Sequence, residues 1–150
     1  MRELQADVST LTGVICVTTN GEIRGDGTAV MGKGNARYWR DRYPQVAYNL
    51  ANHLRRGHNT PTVIYQSVED NIVLVSFPTK HLWRQRADLD LIINSAKRLV
   101  VLADLADWKT IYLPRPGCGP ATGQLDWSAV REILASILDD RFVIVDNSML

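Results

Sequence analysis

Cysteine is scarce: two in 150 residues, Cys16 and Cys118, both in apolar or glycine-rich surroundings. Two such thiols make no disulfide framework, which points to a reducing compartment and a cytoplasmic protein. An excess of one charge is also missing. Lys and Arg number 17 against 16 Asp and Glu, a net charge of +1. No global basic field therefore draws the chain to nucleic acid or to a membrane surface. The local set Arg37, Arg40, Arg42, Arg55 and Arg56 reads as a solvated helix face. No apolar run approaches the ~20 residues that cross a bilayer, and no signal peptide is apparent, so no membrane is expected. The three histidines, His53, His58 and His81, share no ligand-like spacing with one another or with cysteine, so no metal is expected. Repeats, low-complexity tracts and linkers are lacking. What remains is an ordinary composition, 45% hydrophobic and 22% charged, over residues 1–150, a length that suits one domain with a full core.

Glycine, by contrast, is concentrated. Gly25, Gly27, Gly32 and Gly34 fall within ten residues, between a strand-like run and a helical pattern. Such a stretch packs no core, but it lets a ligand approach the main chain. Ahead of a helix, its N–H groups and the helix N-terminus make an anion site, so residues 25–36 are expected to wrap a phosphate. The nearest nucleotide motif fails. Gly27 to Lys33 matches most of a P-loop, but Gly34 stands where the magnesium-binding Ser or Thr belongs. A second glycine-rich stretch, Pro116-Gly117-Cys118-Gly119, invites a cysteine-phosphatase reading. That loop needs an Arg where this chain has Gln124, so Cys118 reads as a small residue in a tight loop.

Taken in order, residues 1–6 predict a short edge strand and residues 14–19 a strand covered on both faces. Residues 36–43 predict a short helix stopped by Pro44, and a second helix follows to about Arg56, ending at Gly57. Val46, Leu50 and Leu54 mark its buried side. Residues 62–67 and 72–77 form a hairpin, and Asp88 caps a long helix to about Leu105. Leu89, Ile92, Ile93, Ala96, Leu99 and Val100 form the apolar stripe of that helix. Residues 110–113 are a strand, Asp126 caps a last helix with Trp127, Val130, Ile133, Leu134 and Ile137 inward, and residues 141–145 close the sheet. Alternating strands and helices with one hairpin predict an α/β fold, a sandwich around a mixed sheet. If the relevant strands are parallel neighbours, both glycine loops and the segment at Lys80 meet at their carboxyl ends.

The motifs, in this order, resemble the macrodomain family. Val17-Thr18-Thr19-Asn20-Gly21, followed by Ala29-Val30-Met31-Gly32-Lys33-Gly34-Asn35-Ala36, looks like its first ligand loop. Phe77-Pro78-Thr79-Lys80-His81-Leu82-Trp83 and Leu113-Pro114-Arg115-Pro116-Gly117-Cys118-Gly119, then Leu125-Asp126-Trp127, resemble one branch of it. That branch holds the terminal ADP-ribose protein glycohydrolases, the DNA ADP-ribosyl glycohydrolase antitoxins and many small bacterial and phage proteins. The resemblance spans nearly the whole chain. It implies a three-layer α/β/α sandwich with a mixed central sheet, in one macrodomain. It also implies ADP-ribose as ligand, no cofactor, and ADP-ribose or an ADP-ribosylated protein or DNA as partner. A monomer is the expected state.

The resemblance also implies a site. Asp7 would hold the adenine amino group, which donates where a carboxylate accepts; the lesser reading is a turn residue. Met31, Gly32, Lys33, Gly34 and Asn35 would cradle the distal ribose. Gly117, Cys118, Gly119, Ala121, Thr122 and Gly123 would surround the diphosphate. Val8, Thr19, Val30 and Pro116 complete the binding set. Lys80 leaves an apolar strand between Pro78 and Trp83; a lysine held partly out of water becomes a nucleophile or base. Its counterpart in the similar glycohydrolases acts at C1″ of the distal ribose, so Lys80 takes the catalytic role. Asn20 is the second catalytic candidate, because an amide can both donate to and accept from sugar hydroxyls, and in Asn-Gly it is equally a turn residue. His81 is read as a solvated loop residue or as one that orients substrate. One departure stands out. The related protein glycohydrolase has a catalytic Asp two residues after its Gly-Cys-Gly, and here that position is Ala121. Three functions follow: removal of ADP-ribose from a modified macromolecule, a reader module without turnover, and hydrolysis of ADP-ribose 1″-phosphate or O-acetyl-ADP-ribose.

Overall fold

A computed structural model describes residues 1–119 and 124–147. Its strands are β1 (Arg2–Gln5), β2 (Gly13–Thr19), β3 (Val63–Ser67), β4 (Ile72–Pro78), β5 (Ile111–Pro114) and β6 (Phe142–Asp146). Its helices are α1 (Gly34–Arg42), α2 (Gln45–Arg55), α3 (Leu89–Ala106) and α4 (Trp127–Ala135), with a 3-10 turn at Val8–Thr10. The six strands form one sheet in the order β1-β6-β5-β2-β4-β3. Every pairing is parallel except β3 with β4, the predicted hairpin.

The continuous apolar run of β2 now has its reason. Val14 and Cys16 face one core cluster, with Ile92, Ala96, Leu99 and Ala103 of α3 and Val130 and Leu134 of α4. Ile15 and Val17 face the other, with Trp39 of α1 and Val46, Ala47, Leu50 and Ala51 of α2. A strand buried on both faces needs apolar residues at every position, not every second one. The layers are therefore α1 and α2, the mixed sheet, then α3 and α4: a three-layer α/β/α sandwich. β1 has all four residues exposed and pairs only with β6, as an edge strand does. No helix among the described residues is long and apolar enough to cross a membrane.

Helix boundaries follow the local chemistry. Asp88 caps α3, its Oδ1 accepting the Leu91 N–H at 3.2 Å. α2 ends ahead of Gly57, whose φ of +85° suits glycine. Two expectations shift. Asp126 occupies the cap position of α4, yet no first-turn N–H bonds to its side chain; it accepts from the Ser128 hydroxyl instead. Ile137 lies beyond the end of α4, yet it still packs, partly buried, against the core beside Leu138.

Leu99 is fully buried in α3 and Leu105 is 81% exposed on the same helix. Leu99→Ala should cost about 2–5 kcal/mol in urea unfolding. Leu105→Ala should stay within about 0.5 kcal/mol of the native chain.

Candidate functional site

β2 is flanked by β5 and β4, both parallel to it. β4 runs with β2 along its whole length, from Gly13 opposite Ile72 to Thr19 opposite Pro78. β5 pairs with β2 at only two positions, Val14 with Ile111 and Ile15 with Tyr112. Beyond Ile15 the two strands part. The chain then leaves β2 toward α1 on one face and leaves β5 toward α4 on the other. A crevice at the carboxyl ends is the consequence of this switch in direction. It is a cleft of about 700 Å³ bordered by the segments after β2, β4 and β5.

The segment after β2 divides into two parts. Its tip, residues 24–28, is a small hairpin: Arg24 N–H donates to the Thr28 carbonyl at 2.7 Å, and Arg55 Nη2 donates to the Gly27 carbonyl. Gly25 and Gly27 thus stand apart from the cleft lining, which corrects the expectation that the whole stretch wraps one anion. The second part, Val30 to Ala36, lines the cleft. Asn20 holds the two parts together: its Nδ2 donates to the Val30 carbonyl at 3.1 Å and its Oδ1 accepts the Glu22 N–H at 3.0 Å. Asn20 lines the cleft with its amide already committed to the loop. At the start of α1, Asn35 Oδ1 accepts the Thr18 N–H at 3.1 Å, which pins the helix to β2. No side chain caps the first turn of α1, and Gly34, Asn35 and Ala36 line the cleft, so this end suits an anion.

The segment after β4 is clamped on several sides. Thr79 N–H donates to the Thr19 carbonyl at 2.9 Å, Asn59 Nδ2 to the Lys80 carbonyl at 3.1 Å, and Gly21 N–H to the His81 carbonyl at 2.9 Å. His81 Nε2 donates to Asp88 Oδ2 at 3.0 Å, so this histidine is tied to the cap of α3. Gly21 is required here: a Cβ would stand 2.9 Å from both the His81 carbonyl oxygen and Asn59 Nδ2. Lys80 is half-buried and lines the cleft beside Trp83, which is 46% exposed.

After β5, Arg115 reaches the cleft. Its guanidinium lies over the Trp127 ring at 5.1 Å and 3.5 Å from Asp146, and its Nε is buried without a partner. Gly117 has φ +72°, and a Cβ there would meet Ile92 Cδ1 at 2.8 Å, so the loop passes against α3 only as glycine. Cys118 Sγ donates to the Pro116 carbonyl, and burial pushes its thiol up to about 11. That keeps it protonated at neutral pH and supports a packing role.

Of the residues expected at the site, Thr19, Asn20, Val30, Met31, Gly32, Lys33, Gly34, Asn35, Lys80, Gly117 and Gly119 line the cleft. Asp7 and Val8 do not: Asp7 Oδ1 accepts the Ser9 N–H at 2.9 Å, capping the 3-10 turn, and Val8 is buried in the core. Pro116 and Cys118 also lie behind the lining. Ala121, Thr122 and Gly123 lie outside the described residues. Thr18, Ala36, Thr79, Trp83, Arg115 and Gln124 join the lining without having been assigned to the site. Arg115 had a legible signal, a cation inside a Pro/Gly loop. Thr79 had none beyond its place next to Lys80. The cleft carries Lys33, Lys80 and Arg115 and no carboxylate among its described lining residues, in a chain with net charge +1. Thr19 Oγ1 is buried there without a partner. These features suit an anionic ligand with several hydroxyls.

The chain has the macrodomain fold. Over 96% of its length it superposes on the macrodomains of Thermus aquaticus DarG (TM-score 0.79, 23% identity) and Mycobacterium tuberculosis DarG (TM-score 0.79, 24% identity), and covers 95% of each. It also superposes on Thermosipho africanus DarTG solved in complex with ADP-ribose, at TM-score 0.72 and 21% identity. That match covers 89% of this chain and 38% of the other. No protein-family model matches the chain, and no curated protein matches it.

Asp88 anchors both α3 and the Lys80 segment. The Leu91 N–H, and secondarily His81, hold its carboxyl below the usual carboxylate range. A lowered folded-state pKa gives stability that is present above the unfolded value of about 3.9 and lost as pH falls through the folded value. Asp88→Ala should cost about 1 kcal/mol at pH 6. In urea melts at strongly acidic pH the gap between variant and native chain should narrow.

Proposed function

We propose that the chain binds ADP-ribose in this cleft and removes it from a modified macromolecule, either a protein acidic side chain or DNA. The observation that carries the reading is the convergence of three segments on one cleft: the α1 end with Gly32 to Asn35, the Lys80 segment, and the Arg115–Gly119 loop. ADP-ribose is an anionic diphosphate flanked by two riboses. It needs cations and backbone donors for the phosphates and amide or hydroxyl partners for the sugars. Lys33, Lys80, Arg115 and the uncapped start of α1 meet the phosphate needs, and Thr18 and Asn35 border the cleft for the sugars. A volume of about 700 Å³ suits a ligand of that size. The fold shared with a DarTG solved with ADP-ribose supports the same ligand.

In this reading Lys80 is the group that acts at C1″ of the distal ribose. Its backbone is fixed on both sides and the residue borders the cleft, so the amine has a short reach to the sugar. Asn20 keeps the Val30 segment in place against the same sugar. A second reading is a reader module that binds ADP-ribose without turnover. Ala121, where a related protein glycohydrolase carries Asp, favours it.

Gly32 offers a clean test of the ligand. A Cβ there meets no heavy atom within 4 Å, so Gly32→Glu keeps the fold and puts a carboxylate at the cleft wall. By calorimetric titration the native chain should bind ADP-ribose in the micromolar range. Gly32→Glu should bind at least about a hundredfold more weakly, a loss of about 2.7 kcal/mol, with an unchanged melting temperature. No binding by the native chain would sink the reading.

Lys80→Ala separates the hydrolase from the reader. On ADP-ribosylated protein and ADP-ribosylated oligonucleotide the native chain should release ADP-ribose. Lys80→Ala should lose at least about a hundredfold in rate while keeping ADP-ribose affinity within about threefold. Undiminished turnover in the variant removes Lys80 from the reaction. Absent turnover in the native chain leaves the reader.

A further inference from the structure

We propose that Asn59 is a positioning residue that sets where Lys80 stands in the cleft. The functional arm of this inference rests on the reading of Lys80 above; the geometric arm does not. Asn59 is in the connection between α2 and β3, 21 residues before Lys80, and is not part of the cleft lining. Its Nδ2 donates to the Lys80 carbonyl at 3.1 Å. Among the described residues this is the side chain that bonds to the Lys80 backbone itself. The neighbours of Lys80 are held by main-chain groups, Thr79 by Thr19 and His81 by Gly21. Asn59 therefore closes the gap between two main-chain anchors.

The contact is built, because Asn59 stands on a rigid support. His53 Nε2 lies 3.0 Å from both the carbonyl oxygen and Oγ1 of Thr60. Ser76 Oγ accepts the Thr62 N–H at 3.0 Å, and Ser76 N–H donates to the Thr62 carbonyl at 2.9 Å. The connection is thus fastened to α2 on one side and to β4 on the other. Gly21 packs against Asn59 closely enough that a Cβ would stand 2.9 Å from Nδ2. Three segments distant in sequence meet at this amide. Meanwhile Asn59 Oδ1 is buried with no partner, so the residue is kept in place by its one donor contact and its packing. An amide whose second polar atom is left buried is a costly choice for a mere space-filler.

Asn59→Asp is the sharpest variant. It keeps the shape but, when ionised, sets a carboxylate oxygen against the Lys80 carbonyl oxygen in place of a donor. Asn59→Ala removes the contact without charge, and serves if the Asp variant fails to fold. Two measurements decide. First, Lys80 acylation by an amine-reactive ester is followed by mass spectrometry, with exposed Lys97 and Lys109 as internal references. If Asn59 positions Lys80, the Lys80 labelling rate relative to those references should rise at least about threefold in either folded variant. An unchanged ratio overturns the proposal whatever the chain's activity. Second, turnover and ADP-ribose affinity are compared in the same variants. Positioning predicts a roughly tenfold fall in kcat with KM and ADP-ribose Kd within about twofold. A fall in affinity and melting temperature that accounts for all of the lost rate would mean a structural role only, and overturns it too. If the native chain shows no turnover, the hydrolase reading fails alone, because the labelling ratio still decides the place of Asn59.

Discussion

Two neighbouring strands stop pairing partway, and the cleft depends on it. β2 and β5 share register at Val14–Ile111 and Ile15–Tyr112 only. The remainder of β2 continues to Thr19 along β4. Because the chain leaves β2 for one face and β5 for the other, the carboxyl ends are left open among the described residues. The residues that border the gap mix glycines and polar groups with Val30, Met31, Ala36 and Trp83. Pairing continued in the same register would have set Cys16 beside Leu113 and Thr19 beside Pro116, and left no room for a ligand.

Holding the gap open has a cost that is visible in the polar atoms. Of the five buried side-chain atoms without partners among the described residues, Thr19 Oγ1, Asn59 Oδ1 and Arg115 Nε belong to the cleft or its support, while Trp39 Nε1 and Asn147 Oδ1 are outside its lining. Each such atom costs about 1–3 kcal/mol relative to a satisfied one. The rest of the fold is ordered tightly enough to carry this. Trp39, Phe77 and Phe142 are fully buried, and both faces of β2 are packed. Rigid layers on either side let the segments between them stay irregular and polar. The described lining residues thus carry three cations and no carboxylate in a chain of near-zero net charge.

Much of the frame was readable in one dimension. The apolar runs of β2 and β4, the stripe of Ile92, Ala96 and Leu99, the break at Pro44 and the cap at Asp88 all act through neighbours within a few residues. The parallel neighbours β4, β2 and β5 could be expected only conditionally, and they do bring the three ligand segments together. Gly25 and Gly27 misled because glycine spacing does not distinguish a hairpin tip from a ligand cradle; Arg55, far along the chain, makes it a tip. Asp7 was read for its carboxylate, while its Oδ1 is used by the Ser9 N–H two residues on.

The sequence by itself determined the element types, the two-faced burial of the central strands and the three segments able to meet a ligand. Each of these rests on local periodicity or on a residue's own donors and acceptors. Only the tertiary structure decided which polar groups remain available once the chain is folded. Asn20 spends its amide on Val30 and Glu22, whereas Asn59, which nothing in its surroundings marks, reaches the Lys80 backbone. Hydrogen bonds between distant segments follow from where strands and helices come to rest in space, and no spacing along the chain encodes them.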